Sequence, residues 1–243
     1  MHAADYYAST RRRMVELALE IDPFAAVPAC PGWTARDVVA HVVGLASDVV
    51  SGRTSGYAGP EWTEAQVRAR SGDSIPDMLA EWDGLMPAFL AINRDLAGSS
   101  LPETIDHVLG PVPKSSFEAA FHVDLLHHEH DLLGARGTPR RVALDADVAA
   151  MAAQLANVRA QFAAADLPSL RLIATDADRD WRIGRDEPTV TVTASVIDYL
   201  RSFGGRRTLD EIGALAWSGD RTGMVEQMVL PFFSVPAEPI AGG

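Results

Sequence analysis

The sequence predicts an up-and-down helical bundle followed by a small α+β domain. Apolar residues recur at helical spacing through the first two-thirds of the chain, capping signals punctuate those stretches, and short alternating segments replace them near the C-terminal third. We place the boundary between residues 1–166 and residues 167–243. A chain of 243 residues is long enough for a main domain with a smaller partner.

In chain order, YYASTRRRMVELALEI (6–21) carries apolar positions at Tyr7, Met14, Leu17, Leu19 and Ile21, and Asp22-Pro23 stops that helix. FAAVPACPGW reads as an extended connector, because a residue before proline avoids the α region. Thr34 and Asp37 form a capping box for ARDVVAHVVGLASDVVSG. Val38, Val42, Leu45 and Val49 make one stripe along it, widened by Val39, Val43, Ala46 and Val50. So many β-branched residues lower helix propensity, but the cap and the length favour helix. A Gly/Ser-containing linker (51–61) leads to a short helix from Thr63 to Arg70. A longer one is expected from Ser74 towards Leu96, with a kink or break at Met86-Pro87.

SSLPETIDHVLGPVPKSS (99–116), rich in Pro and Ser, reads as loop. Ser115 or Ser116 is expected to cap the helix that follows, and Gly134 or Gly137 to end it. Asp145 is the expected cap of DVAAMAAQLANVRAQFAAA, whose alanines suit close helix packing. After Asp166-Leu167-Pro168, the segments SLRLIAT, DWRIG and PTVTVTAS read as strands, and SVIDYLRSFGGRR as a helix stopping at Gly204-Gly205.

Composition narrows the partners. Hydrophobic residues at 47% with 22% charged describe an ordinary soluble globular protein. Lys+Arg 21 against Asp+Glu 33 gives a formal charge of -12, which repels nucleic-acid phosphates and anionic lipid, so neither nucleic acid nor membrane is expected as a partner. The basic clusters Arg11-Arg12-Arg13 and Arg206-Arg207 lack the interleaved aromatics of a base-stacking surface. Cys30, the single cysteine, excludes an intramolecular disulfide, fits a reducing compartment, and reads as a packed thiol. The N-terminus has no apolar core of a leader and no apolar run reaches about 18 residues, so a cytoplasmic location is expected. No Gly-rich phosphate loop, G-x-S-x-G elbow or CxxC pair supports nucleotide chemistry, triad hydrolysis or thioredoxin-like redox.

One stretch carries most of the candidate chemistry: FHVDLLHHEHDLLGARG (121–137). On a helix, His128 and Asp131 fall within about 40° of Asp124, His127 lies about 60° to one side, and His122 and His130 point away. Leu125, Leu126, Leu132 and Leu133 are not aligned with Asp124, so periodicity leaves the buried face open. The i,i+4 pair Asp124/His128 can grip one cation, or it is an ordinary surface ion pair. His41 lies about 60° off the centre of its apolar stripe, with Gly44 leaving open space one turn on. It is either a third ligand or a boundary histidine neutralised by Asp37 or Asp48. His127 and His130 are the alternative ligands; His2 and His107 read as terminal and loop residues, and Trp33 as a hydrophobic staple.

PGWTARDVVAHVVGL and VDLLHHEHDLLGARG together resemble the two metal motifs of the DinB-like, mycothiol-dependent maleylpyruvate isomerase family. The first motif is a PGW-T-x-x-D/E opening with a metal-binding His after it. The second is a carboxylate, three residues, His, two residues, Asp-Leu, then a terminating Gly. LRLIATDADRDWRIG, VTASVIDYLRSFGGRR and ALAWSGD are similar to that family's second domain, where an arginine after Gly faces the site.

The resemblance implies a DinB-like bundle with His41, Asp124 and His128 as metal ligands, Asp131 behind them, and Arg206 as the arginine that neutralises a substrate carboxylate. Asp124 stands where the isomerase has Glu, and its shorter side chain either draws the metal towards the helix axis or binds it less well. The implied cofactors are a divalent metal, zinc first with nickel as the alternative, and mycothiol. The implied reaction is isomerisation of a small electrophilic substrate or transfer of the thiol to it; the alternative is a non-catalytic DinB-like protein that binds a metal or small molecule. A lone cysteine outside both motifs fits a thiol supplied from elsewhere.

Overall fold

Reciprocal capping bonds set where most helices of this protein begin. The computed structural model describes residues 1–107, 110–138 and 143–240. Helix α1 (Ala3–Glu20) starts with the His2 ring accepting from the Ala4 N–H while Asp5 accepts from the His2 N–H. Thr34 and Asp37 do the same for α2 (Ala35–Val50), and Ser74 and Asp77 for α4 (Ile75–Arg94). Between them α3 (Pro60–Ala69) opens on Pro60, whose missing N–H costs nothing in a first turn, so it begins earlier than the expected Thr63. Of the kink or break expected at Met86-Pro87, the break does not occur: helix α4 continues through Pro87. Trp82 and Phe89, on either side of Pro87, are both fully buried, and their packing outweighs the roughly 3 kcal/mol that an interior proline costs.

The segment read as loop holds a hairpin instead. Strand β1 (Thr104–His107) pairs antiparallel with β2 (Gly110–Pro113), with Ile105 opposite Val112. Its second strand contains two prolines, which donate no ladder bonds; a two-stranded edge tolerates them, but they erase the strand signal. Ser115 and Ser116 lie in a 3-10 turn (Lys114–Phe117) and cap nothing; α5 (Ala120–Ala135) starts at Ala119 without a side-chain cap. Its end is as expected, with Gly137 at φ +70° and the Thr138 N–H returning to the Leu133 carbonyl.

By backbone contacts the chain divides into Met1–Thr138 and Pro139–Gly243. In the first unit α2 packs chiefly on α4, and α1 on α5. Val38, Val42, Leu45 and Val49 are all buried, as their stripe requires. Every residue of α5 from Leu125 to Leu132 is buried, so this helix has no solvated face, and its lack of an apolar stripe follows.

In the second unit, α6 (Asp145–Ala164) starts with the Asp147 carboxylate accepting the Leu144 N–H at 2.7 Å; Asp145 is the first helical residue and not the cap. Strands β3 (Leu170–Ala174), β4 (Asp180–Ile183), β5 (Val190–Ala194) and β6 (Ala216–Ser218) form one sheet in the order β4-β3-β5-β6, with β3 and β5 parallel. Helices α7 (Val196–Phe203) and α8 (Leu209–Gly213) complete the α+β unit. The Tyr199 hydroxyl on α7 reaches the carbonyls of Ile173 and Val192 and ties the helix to the sheet. Helix α6 packs on α7 and β4 and so groups with this unit, although the strand pattern starts only after it. No described helix is long and apolar enough to cross a membrane.

Candidate metal centre

Helix α2 carries His41 and α5 carries Asp124 and His128, and the two helices pack together. Nε2 of His41 lies 3.6 Å from Oδ2 of Asp124, and Nε2 of His128 lies 3.8 Å from Oδ1 of the same carboxylate. The three ligand atoms lie within 4.8 Å of one another. Both imidazoles are buried and Asp124 is half-buried.

The far nitrogens of both rings are occupied. Nδ1 of His41 is 2.7 Å from Oε1 of Gln66, and Nδ1 of His128 is 3.2 Å from Oδ2 of Asp131. An imidazole that gives its Nδ1–H to such an acceptor turns the Nε2 lone pair the other way, here towards Asp124. With both rings neutral, two lone pairs and a carboxylate then face one another, an arrangement that repels itself unless a metal ion or a proton lies among them. Ligand bonds of 2.0–2.1 Å around one tetrahedral ion place neighbouring donors about 3.3 Å apart, close to the separations seen. Two imidazoles and one carboxylate suit zinc and similar borderline divalent ions.

Asp124 is prepared to be the anionic member. Burial alone raises its pKa, but the facing imidazoles of His41 and His128, with a further contribution from His127, outweigh burial and hold it down at about 2. The same carboxylate acts on its neighbours. Burial pushes the Tyr7 and Tyr57 phenols well above their ordinary range, and the Asp124 charge pushes them further. Tyr57 packs with Trp62, Phe117 and Phe121, and with His107, which is part of this aromatic group and whose pKa burial lowers.

Sequence reasoning missed three contributors. Trp33 does more than staple α2: its ring lies 5.4 Å from that of His41 and stacks 6.3 Å from that of His128. Cys30 turns its thiol to Oδ2 of Asp131 at 3.5 Å and to Nδ1 of His128 at 3.9 Å, so Cys30, His128 and Asp131 form a second close group of potential ligands. Both residues come from PACPGW, whose position directly before the α2 cap was the available signal. Gln66 is the third. The space beside Gly44 is not open, because Gln66 fills it.

The other histidines are not a solvated face. His122 stacks on Tyr6 at 5.5 Å, and His127 and His130 are buried. Neither His127 nor His130 joins a close ligand group among the described residues. Glu129 is held by Arg13 through two bonds of 2.6 and 2.7 Å. His41 meets neither Asp37, which caps its own helix, nor Asp48 directly. Arg206, in the second unit, is buried, gives Nη1 to the Gly204 carbonyl at 2.6 Å and lies 5.2 Å from the Phe233 ring.

Comparison with known proteins gives a consistent picture. The family described as mycothiol maleylpyruvate isomerase N-terminal domain matches residues 7–133. The crystal structure of the mycothiol-dependent maleylpyruvate isomerase is 15% identical, with 90% of this chain and 92% of that chain covered at a TM-score of 0.59. The structure of a histidine-to-alanine mutant of the isomerase is 14% identical at the same coverage, with a TM-score of 0.57. At these identities the likeness is one of fold. No curated protein sequence matches the chain.

Proposed function

Through residues 7–133 the chain belongs to the mycothiol maleylpyruvate isomerase family, and from that membership we propose a metal- and mycothiol-dependent enzyme acting on a small electrophilic substrate. The reaction is cis–trans isomerisation of a maleylpyruvate-like, carboxylate-bearing alkene, or transfer of the thiol to a related electrophile. The observation that carries this reading is the convergence of His41, Asp124 and His128 with both remote ring nitrogens already held by Gln66 and Asp131.

These three residues would hold the metal, zinc first and nickel as the alternative. A divalent ion so held would acidify a thiol, and a thiolate can add reversibly to an activated alkene, allow rotation and leave. The chain's own groups supply the setting. Asp124 stays anionic and offsets the charge of the ion. Gln66 and Asp131 fix the two ring planes, so the ligands need no reorganisation on binding. Trp33 packs beside both imidazoles. Cys30 faces Asp131. Arg206 is the group we assign to the substrate carboxylate.

The test is elemental analysis of the purified protein together with a thiol-dependence assay on maleylpyruvate and a generic electrophile. About one metal per chain and turnover that needs mycothiol and stops with a chelator are expected. Metal without thiol-dependent turnover would make this a binding protein, and full metal occupancy in both His41→Ala and His128→Ala would remove the ligand assignment.

A further inference from the structure

A buried polar chain runs on behind His41. Gln66, on α3 and only 3% exposed, receives Nδ1–H of His41 on Oε1 at 2.7 Å and donates from Nε2 to Oδ2 of Asp48 at 2.7 Å. Asp48 in turn accepts from Arg53, at 3.0 Å from Nε and 2.9 Å from Nη2. A carboxylate paired with a guanidinium offers acceptors only, so the end of the Gln66 amide that faces Asp48 must be the NH2 group. The carbonyl end then faces His41. Because an amide carbonyl only accepts, His41 must carry a proton on Nδ1, and in the neutral ring this leaves Nε2 bare. Each step fixes the next, from an ion pair at the helix end to the atom that faces Asp124.

Gly44 is what lets this chain close. A Cβ at residue 44 would lie 2.4 Å from Cβ and 2.7 Å from Cγ of Gln66, so α3 reaches this depth against α2 only because residue 44 has no side chain. From the other side, Nη1 of Arg70 donates to the backbone carbonyl of Gln66 at 3.2 Å while the same guanidinium pairs with Glu81. Gln66 is therefore held in place by packing as well as by its two hydrogen bonds.

The geometry points to Gln66, oriented by Asp48 and Arg53, as the positioning residue that sets His41 in the tautomer able to ligate through Nε2. This assignment rests on the metal reading above. It also separates the two imidazoles: His41 gives its Nδ1–H to a neutral amide, His128 to the carboxylate of Asp131, which leaves His41 the less electron-rich ligand.

Two measurements on the full chain test it: zinc affinity by competition with a chromophoric chelator, and ring-nitrogen NMR of the zinc-free protein. Gln66→Leu should lose about 10- to 100-fold in zinc affinity and let His41 move towards the Nε2–H tautomer. Asp48→Asn, which frees the amide to turn over, should also weaken binding. The paired swap Gln66→Glu with Asp48→Asn keeps total charge and returns an acceptor to His41, so it should bind within about threefold of the wild type. Wild-type affinity in Gln66→Leu, or retention of the Nδ1–H tautomer there, overturns the assignment. If Gln66→Leu does not fold, a folded swap that binds no better than Asp48→Asn overturns it equally. Should the wild type take no zinc, the metal reading fails while the NMR comparison still decides whether Gln66 sets the tautomer.

Discussion

Oδ2 of Asp131 lies 3.2 Å from Nδ1 of His128, and the Asp131 side chain has 0% of its surface exposed. A buried carboxylate in that position accepts the ring N–H and enriches the opposite nitrogen, which is the one that faces Asp124. Asp131→Ala should therefore lower zinc affinity by about 10- to 100-fold, whereas His128→Ala should lose binding. Asp131→Asn still offers an oxygen acceptor and should fall between wild type and Asp131→Ala. Chelator competition reads all three, and an unchanged dissociation constant in Asp131→Ala would detach this residue from the metal.

The depressed pKa of Asp124 carries a sign for stability. Despite burial, the facing imidazoles hold its carboxyl down at about 2 in the folded chain, below the ordinary carboxylate value of 3.8. A group whose folded pKa is lowered contributes stability that is present above its unfolded value and is lost as pH falls through the folded one. The contribution of Asp124 should thus be intact at pH 5 and fade between about pH 4 and about pH 2. Urea midpoints of the metal-free wild type and Asp124→Asn should converge across that window, and a gap that stays constant would contradict it.

Local chemistry was legible in the sequence and distant chemistry was not. The boxes at Thr34/Asp37 and the stop at Gly137 involve residues three or four apart, so spacing alone reveals them. Asp124 and His128 share a helix face for the same reason, and His41 was within reach because its stripe places it at a margin. The pairing of β1 with β2 was hidden by the prolines that its exposed edge tolerates. The burial of α5 on all sides hid its inward face, since a helix with no solvated side has no amphipathic signal. Gln66 lies 25 positions from His41, on a polar-looking helix, and nothing in PEWTEAQVRA distinguishes it. The one available sign was Gly44, a glycine inside an otherwise strong helix, which marks a close approach as readily as it marks open space.

The ion pair between Arg13 and Glu129 should matter more than its counterparts on the surface. Both guanidinium bonds are short, 2.6 and 2.7 Å, and the Glu129 side chain is 3% exposed. Arg13→Ala withdraws a bidentate cation from a buried carboxylate, at a cost of about 3–5 kcal/mol. The Arg182–Glu187 pair is just as close at 2.9 Å, yet its side chains are 55% and 82% exposed. There Arg182→Ala should cost less than about 1 kcal/mol. Urea denaturation followed by circular dichroism compares the two, and equal losses would mean that burial does not govern these pairs.

Two glycines inside helices should respond to alanine with opposite signs. Gly84 is exposed on α4, and a Cβ there would meet nothing within 4 Å. Alanine is the better helix former, so Gly84→Ala should stabilise by about 0.5–1 kcal/mol. Gly44 has the same propensity to gain, but its added methyl would lie 2.4 Å from Cβ of Gln66, an atom that cannot move without moving α3. Overpacking of that kind costs about 1–3 kcal/mol, which outweighs the propensity term. Gly44→Ala should therefore destabilise, and by displacing Gln66 it should also weaken zinc binding, an effect that Gly84→Ala lacks. If Gly44→Ala stabilised the protein as Gly84→Ala does, the close approach of α3 to α2 could not be what holds Gln66 against His41.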